Sequence, residues 1–161
     1  MLSKGTQQLA DDHVALDGLL KQLHAALDHG DVDTSYAKLD LFWAKLAVHI
    51  RAEHLHLFPC VASVEGAVVQ RLREDHEFFM RQLASAIEMI HTGQELNLVK
   101  DILLEVEQRL AHHNQVEETN IYQLAATVLN EEELAKLSQR LSSELEKRPP
   151  RFSAESWTLH S

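Results

Sequence analysis

One phrase is written twice along this chain, and the repeat dictates both how many helices are needed and what they surround. An aspartate-histidine pair is followed 36 or 37 residues later by His-x-x-x-Glu: Asp12-His13 with His49 and Glu53, then Asp75-His76 with His113 and Glu117. The apolar context repeats as well. Leu9, His13, Leu16 and Leu20 lie 63 positions before Leu72, His76, Phe79 and Leu83. Leu46, His49, Glu53, Leu57 and Phe58 lie 64 before Leu110, His113, Glu117, Ile121 and Tyr122. A histidine and a glutamate four apart project from one face of a helix. Each half therefore offers one imidazole from a first helix and an imidazole-carboxylate pair from a second.

The apolar periodicity supplies those helices. Leu9, Leu16, Leu19, Leu20, Leu23 and Leu27 recur at three- and four-residue steps, predicting a helix from Ser3 to about His29 that Gly30 closes. Asp31 or Asp33 can cap a second, running through Leu39, Phe42, Leu46, Ile50 and Leu57 toward Pro59, its end blurred as far as Gly66. A third is expected over Ala67 to Ile90, stopped at Gly93, and a fourth from about Glu95 to Leu129. Asn130, followed by three glutamates, can cap a shorter fifth carrying Leu134, Leu137, Leu141 and Leu145 up to Pro149-Pro150. Arg151 to Ser161 holds Phe152 and Trp157 without periodicity, and reads either as a tail or as an arm packed on the bundle.

Long helices joined by short loops return beside their neighbours, so the fold class expected is all-α: an up-down-up-down antiparallel four-helix bundle with a short C-terminal helix and tail. The bundle would occupy residues 1–129 and the added helix and tail residues 130–161. In that topology the repeat converges. His13 and His76 each lie 17 residues before the glycine ending their helix, and His49 and His113 lie 19 and 20 after it. At about 1.5 Å per residue the four imidazoles fall within one turn of the same level.

Four imidazoles and two carboxylates in one layer suit iron, manganese or zinc, and a carboxylate can bridge two cations. Two bridging glutamates with two terminal histidines per ion leave room for further ligands. Buried without a cation, the same six groups would be costly. The neighbours compete for this assignment. His112 would also precede Glu117, but the register of the repeat selects His113 and turns His112 outward. His54, His56 and Glu118 lie close to the motif, and Asp12 and Asp75 read as surface charge in preference to hydrogen-bond acceptors for the histidines. Tyr122, one turn beyond Glu117, can approach the layer. Glu53-x-x-His56 and Glu88-x-x-His91 mimic a ferritin-type pairing but face opposite ends of the bundle, and His24, His29, His91 and His160 have no counterparts in the repeat.

Composition narrows the classes of function. A formal net charge of −10 argues against a phosphate backbone, so no nucleic-acid partner is expected. Cys60 is the only cysteine, which excludes an intramolecular disulfide or a thiolate zinc cage. Five glycines and three prolines leave little for turn-rich β architecture. With no apolar leader in Met1 to Asp12 and no apolar run of membrane-spanning length, the expectation is a cytoplasmic protein with no membrane partner.

These residues resemble the hemerythrin-like, or HHE cation-binding, family over roughly Gln8 to Ala126. The likeness is carried by Asp12-His13, His49-Ile50-Arg51-Ala52-Glu53 with Leu57-Phe58-Pro59, Asp75-His76, and His113-Asn114-Gln115-Val116-Glu117-Glu118 with Ile121-Tyr122. The resemblance implies two iron ions joined by an oxo or hydroxo bridge, with His13, His49, His76 and His113 as terminal ligands and Glu53 and Glu117 as bridges. It implies a partner that is a small diatomic molecule, dioxygen or nitric oxide, or peroxide. The oxygen carriers of the family use a fifth histidine four residues from the one on the third helix; Leu72 and Met80 occupy those positions here. That departure turns the expectation from oxygen carriage toward sensing or stress protection, with an electron donor or signalling partner. Leu16, Leu46, Phe79 and Leu110 are candidates for an apolar pocket wall. A metal-stabilised interaction module, with docking through the fifth helix and the Phe152/Trp157 tail, is the alternative, as is iron storage.

Overall fold

The computed structural model describes residues 2–147. These form α1 (Lys4–Asp28), α2 (Val32–Ala52), a π-helical turn (Glu53–Leu57), α3 (Phe58–His91), α4 (Leu96–Val116), a second π-helical turn (Glu117–Ile121), α5 (Tyr122–Val128) and α6 (Glu131–Leu145). No strand occurs among the described residues. Pro149-Pro150, Phe152, Trp157 and His160 lie outside them.

Local chemistry sets most boundaries. The Ser3 hydroxyl accepts from the Thr6 amide, and the Asp31 carboxylate accepts from the Thr34 amide, satisfying donors that the first turns of α1 and α2 leave open. Asn130 and Glu133 form a reciprocal capping box at α6. Gly30 and Gly93 adopt φ of 69° and 78°, left-handed values that favour glycine. Behind them the Asp31 and Gln94 amides reach back to the carbonyls of Ala26 and Met89, the six-to-one bond of a Schellman close.

Two expectations are corrected. The third helix begins at Phe58 instead of Ala67, with Pro59 in its first turn, a position that proline tolerates. A single break at Glu65 (φ −126°, ψ 48°) falls beside the Gly66 boundary read from sequence. Nor is the fourth helix continuous. The Phe58 amide bonds the Glu53 carbonyl and the Tyr122 amide bonds the Glu117 carbonyl, five residues back in both cases. Each π-turn inserts one residue and rotates the downstream helix by about 100°. Leu57 and Phe58, and likewise Ile121 and Tyr122, are thereby all buried alongside the glutamates.

The core has two apolar layers with a polar one between them. One layer gathers Leu16 to Leu27, Leu39 to Ile50, Phe79 to Ile90 and Val99 to Leu110 at their core-facing positions. The other gathers Leu9, Leu57, Phe58, Val61, Val69, Leu72, Ile121, Tyr122, Leu137 and Leu141. Between them on every helix falls the repeated phrase: His13 on α1, His49 and Glu53 at the end of α2, His76 on α3, His113 and Glu117 at the end of α4. Each fully buried Leu or Phe contributes roughly 1.5–3 kcal/mol, and these layers offset the desolvation of the polar groups they enclose.

The amphipathic α6 covers the second layer. It packs on α1, α2 and the first π-turn. Its approach to α1 is close: the Gly5 amide donates to the Ser138 hydroxyl at 2.9 Å, and a Cβ at Gly5 would stand 2.7 Å from the Ser138 Cα.

Candidate metal centre

All six residues singled out by the repeat meet in one buried cluster. His13, His49, Glu53 and Glu117 bring ligand atoms within 4.8 Å of one another, and so do Glu53, His76, His113 and Glu117. The two glutamates belong to both groups and are completely buried. Glu53 Oε1 lies 3.5 Å from His49 Nε2 and 3.3 Å from His76 Nε2. Glu117 Oε1 lies 3.2 Å from His13 Nε2 and 3.3 Å from His113 Nε2. Each carboxylate thus reaches one imidazole from each half of the repeat. The π-turns start at these two glutamates.

The outward nitrogens are held just as systematically. His49 Nδ1 donates to Asp12 at 2.8 Å and His113 Nδ1 to Asp75 at 3.0 Å. The aspartate preceding each single histidine therefore orients the histidine of the next helix, correcting the reading of both as surface charge. Consecutive side chains on a helix stand about 100° apart, so each aspartate points to the side of its following histidine, toward the neighbouring helix. Asp75 is itself gripped by Arg109 through Nε and Nη2, both at 2.8 Å. Glu118 accepts from His13 Nδ1 at 3.1 Å, and His54 Nε2 meets His76 Nδ1 at 2.7 Å with Arg73 behind it at 3.4 Å from His54 Nδ1. His54 and Glu118 occupy the same position of the 64-residue repeat, the signal that would have paired them. Nothing in the spacing pointed to Arg73 or Arg109. His56 instead turns to Glu144 of α6 at 3.2 Å, His24 to Glu107 at 2.7 Å, and His112 is exposed.

Fixing Nδ1–H toward Glu118, Asp12 and Asp75 directs the Nε2 atoms of His13, His49 and His113 inward, and His76 Nε2 faces Glu53 Oε1 at 3.3 Å. Tyr122, fully buried, donates its hydroxyl to Glu53 Oε2 at 2.8 Å. Burial and the nearby Glu117 and Glu53 charges push the phenol well above its ordinary value, so it is a neutral donor.

The electrostatics is that of a cation site. Burial opposes charge on His49 and His113, yet Glu53 with Asp12, and Glu117 with Asp75, overcome it: His49 is raised well above 6.5 and His113 to about 9. His76 is lowered, by burial and then by the His113 charge despite the Glu53 hydrogen bond. Burial would raise Glu53, and the His49 charge overrides it to keep the carboxylate well below its usual range. Even so, Glu53 Oε1 and Glu117 Oε2 are buried without a well-formed hydrogen bond. Acceptor-only oxygens left open among convergent imidazole nitrogens fit a metal ion: coordination replaces the missing donors.

Fold and cluster together define a helical metal-binding bundle with buried His/Glu groups fitting a metal site. The model of the hemerythrin HHE cation-binding domain matches residues 4–125, and the chain belongs to that family. Neither the curated proteins nor the solved structures gave a match. Among the described residues no helix is long and apolar enough to cross a membrane.

Proposed function

We propose that the protein is a non-haem di-iron protein that binds or reacts with dioxygen, nitric oxide or peroxide, in sensing or stress protection. The observation that carries the reading is the position of the two glutamates, each between an imidazole of one half and an imidazole of the other. His13 and His49 would hold one ion, His76 and His113 the second, and Glu53 and Glu117 would bridge them. Two iron ions held there would supply the chemistry with the small molecule. The chain's own residues do the rest: Asp12, Asp75, Glu118 and His54 fix the imidazoles, Tyr122 holds a proton at Glu53 Oε2, and an apolar layer lies on either side of the cluster. Manganese or zinc would fit the same donors.

The alternating order of the two apolar layers along successive helices supports an up-down-up-down bundle over residues 1–129, with residues 130–161 as its C-terminal helix and tail. A cytoplasmic location belongs to the same reading.

The test is metal analysis with an absorption spectrum of aerobically purified protein. Two irons per chain and near-ultraviolet charge-transfer bands are expected. Iron-free protein that takes up no iron on reconstitution refutes the assignment. Glu53→Ala and Glu117→Ala should each lose the second ion, and retention of two tightly bound ions contradicts bridging. Catalytic turnover when the reduced protein meets dioxygen, nitric oxide or peroxide marks an enzyme, whereas stoichiometric change marks a sensor or carrier.

A further inference from the structure

The repeat makes the two halves of the centre equivalent in their inward ligands, and three features break that equivalence. His13 Nδ1 donates to the carboxylate of Glu118, whereas the matching His76 Nδ1 meets the imidazole of His54. Tyr122 stacks on His13 at 5.8 Å, and its counterpart Phe58 stacks on His76 at 5.8 Å without a hydroxyl. A cavity of about 540 Å³ between α1 and α4 is lined by His13, Asp17, Leu20, Leu110, Asn114 and Glu118. Asp17 is exposed, so the cavity leads from the surface to the His13 ring.

The other half is walled in. Phe58 covers His76 face on, the edge of Phe79 meets His113 at 5.2 Å, and His54 closes the outward side of His76. Helices α1 and α4 touch far less than α1 and α2 or α3 and α4 do, which is why the opening lies there.

Resting on the dinuclear reading, we propose that the two metal positions are inequivalent: the His13/His49 position exchanges its ion through the α1/α4 cavity, with Glu118 as the residue that positions and strengthens its His13 ligand. The carboxylate on Nδ1–H fixes the orientation of the ring, and such partners are worth about 10- to 100-fold in metal affinity at comparable sites. Its side chain also forms part of the cavity wall, where Asp17, Glu107 and Glu118 stand against the one positive charge of Lys21. The His76/His113 position is covered by Phe58, Phe79 and His54. Its ion leaves through the first position or when the bundle opens.

The experiment is release of cobalt(II) from fully loaded protein by excess chelator, followed through the cobalt absorption bands. Two phases of one ion each are expected. Glu118→Gln keeps the shape and removes the charge, and should accelerate the fast phase about 10- to 100-fold while leaving the slow phase unchanged. Release of both ions in a single phase overturns the proposal, and so does a variant that shifts both phases equally or only the slow one. The wild-type phases decide the matter even if the variant folds poorly. Wild-type protein that loads fewer than two ions refutes instead the dinuclear reading on which the proposal stands.

Discussion

Removing one hydroxyl tests whether the polar layer is held as described. Tyr122→Phe deletes the hydroxyl that donates to Glu53 Oε2 and also lies 3.3 Å from His13 Nε2 and 3.4 Å from Glu117 Oε1, while the Phe58 ring shows that a phenyl group can stack on a histidine of this cluster. The bond is 2.8 Å, fully buried, and its acceptor is a carboxylate that burial would otherwise protonate. Hydrogen bonds to charged groups contribute about 1.5–3 kcal/mol, and leaving the partner buried and unsatisfied incurs its desolvation as well. For a chain of this size about 1 kcal/mol corresponds to about 2–4 °C in Tm, so the metal-free variant should melt about 3–12 °C below wild type. With metal bound the carboxylate gains a cation, and the gap should shrink. Calorimetric melting of both proteins, stripped and loaded, measures the four values. A metal-free variant melting within a degree of wild type would refute the claim that this donor supports the buried glutamate.

Asp75→Asn removes the charge behind His113 while keeping its size, and should weaken metal binding about 10- to 100-fold by competition titration, with the fold unchanged by circular dichroism. Gly5→Ala places a Cβ against the Ser138 backbone, which has no flexible end to yield, and overpacking of this kind costs about 1–3 kcal/mol by urea denaturation. In the metal-free protein the folded His113 holds its proton up to about 9 against 6.5 ordinarily. Its contribution to stability is therefore complete below 6.5 and lost as pH rises through 9, which urea midpoints across that range will show. The same proton must leave when a metal takes Nε2, so loading at neutral pH should release acid into a weakly buffered solution, and unchanged pH on loading counts against His113 as a ligand.

The register of the repeat was legible in full, because side-chain direction on a helix follows from spacing: it selected His113 over His112 and levelled His13, His49 and His76 with it. Caps at Asp31 and Asn130 and the glycine stops at Gly30 and Gly93 were equally local, since each depends on groups a few residues apart. Pro59 misled, because proline ends a helix or begins one according to which turn it occupies, and here it occupies the first turn of α3. The π-turns at Glu53 and Glu117 left no mark in the pattern of apolar residues, as the extra residue is accommodated only where the carboxylates are drawn into the centre. The roles of Asp12, Asp75, Glu118 and His54 required a neighbouring helix at a known distance, and so did those of Arg73 and Arg109. By itself, then, the sequence determined the helices, their inward faces and the six groups at one level, all consequences of covalent spacing. Tertiary structure decided which outward nitrogen meets which acid, where the layer opens to solvent, and how closely α6 approaches Gly5, because those depend on the distance between helices that no single helix encodes.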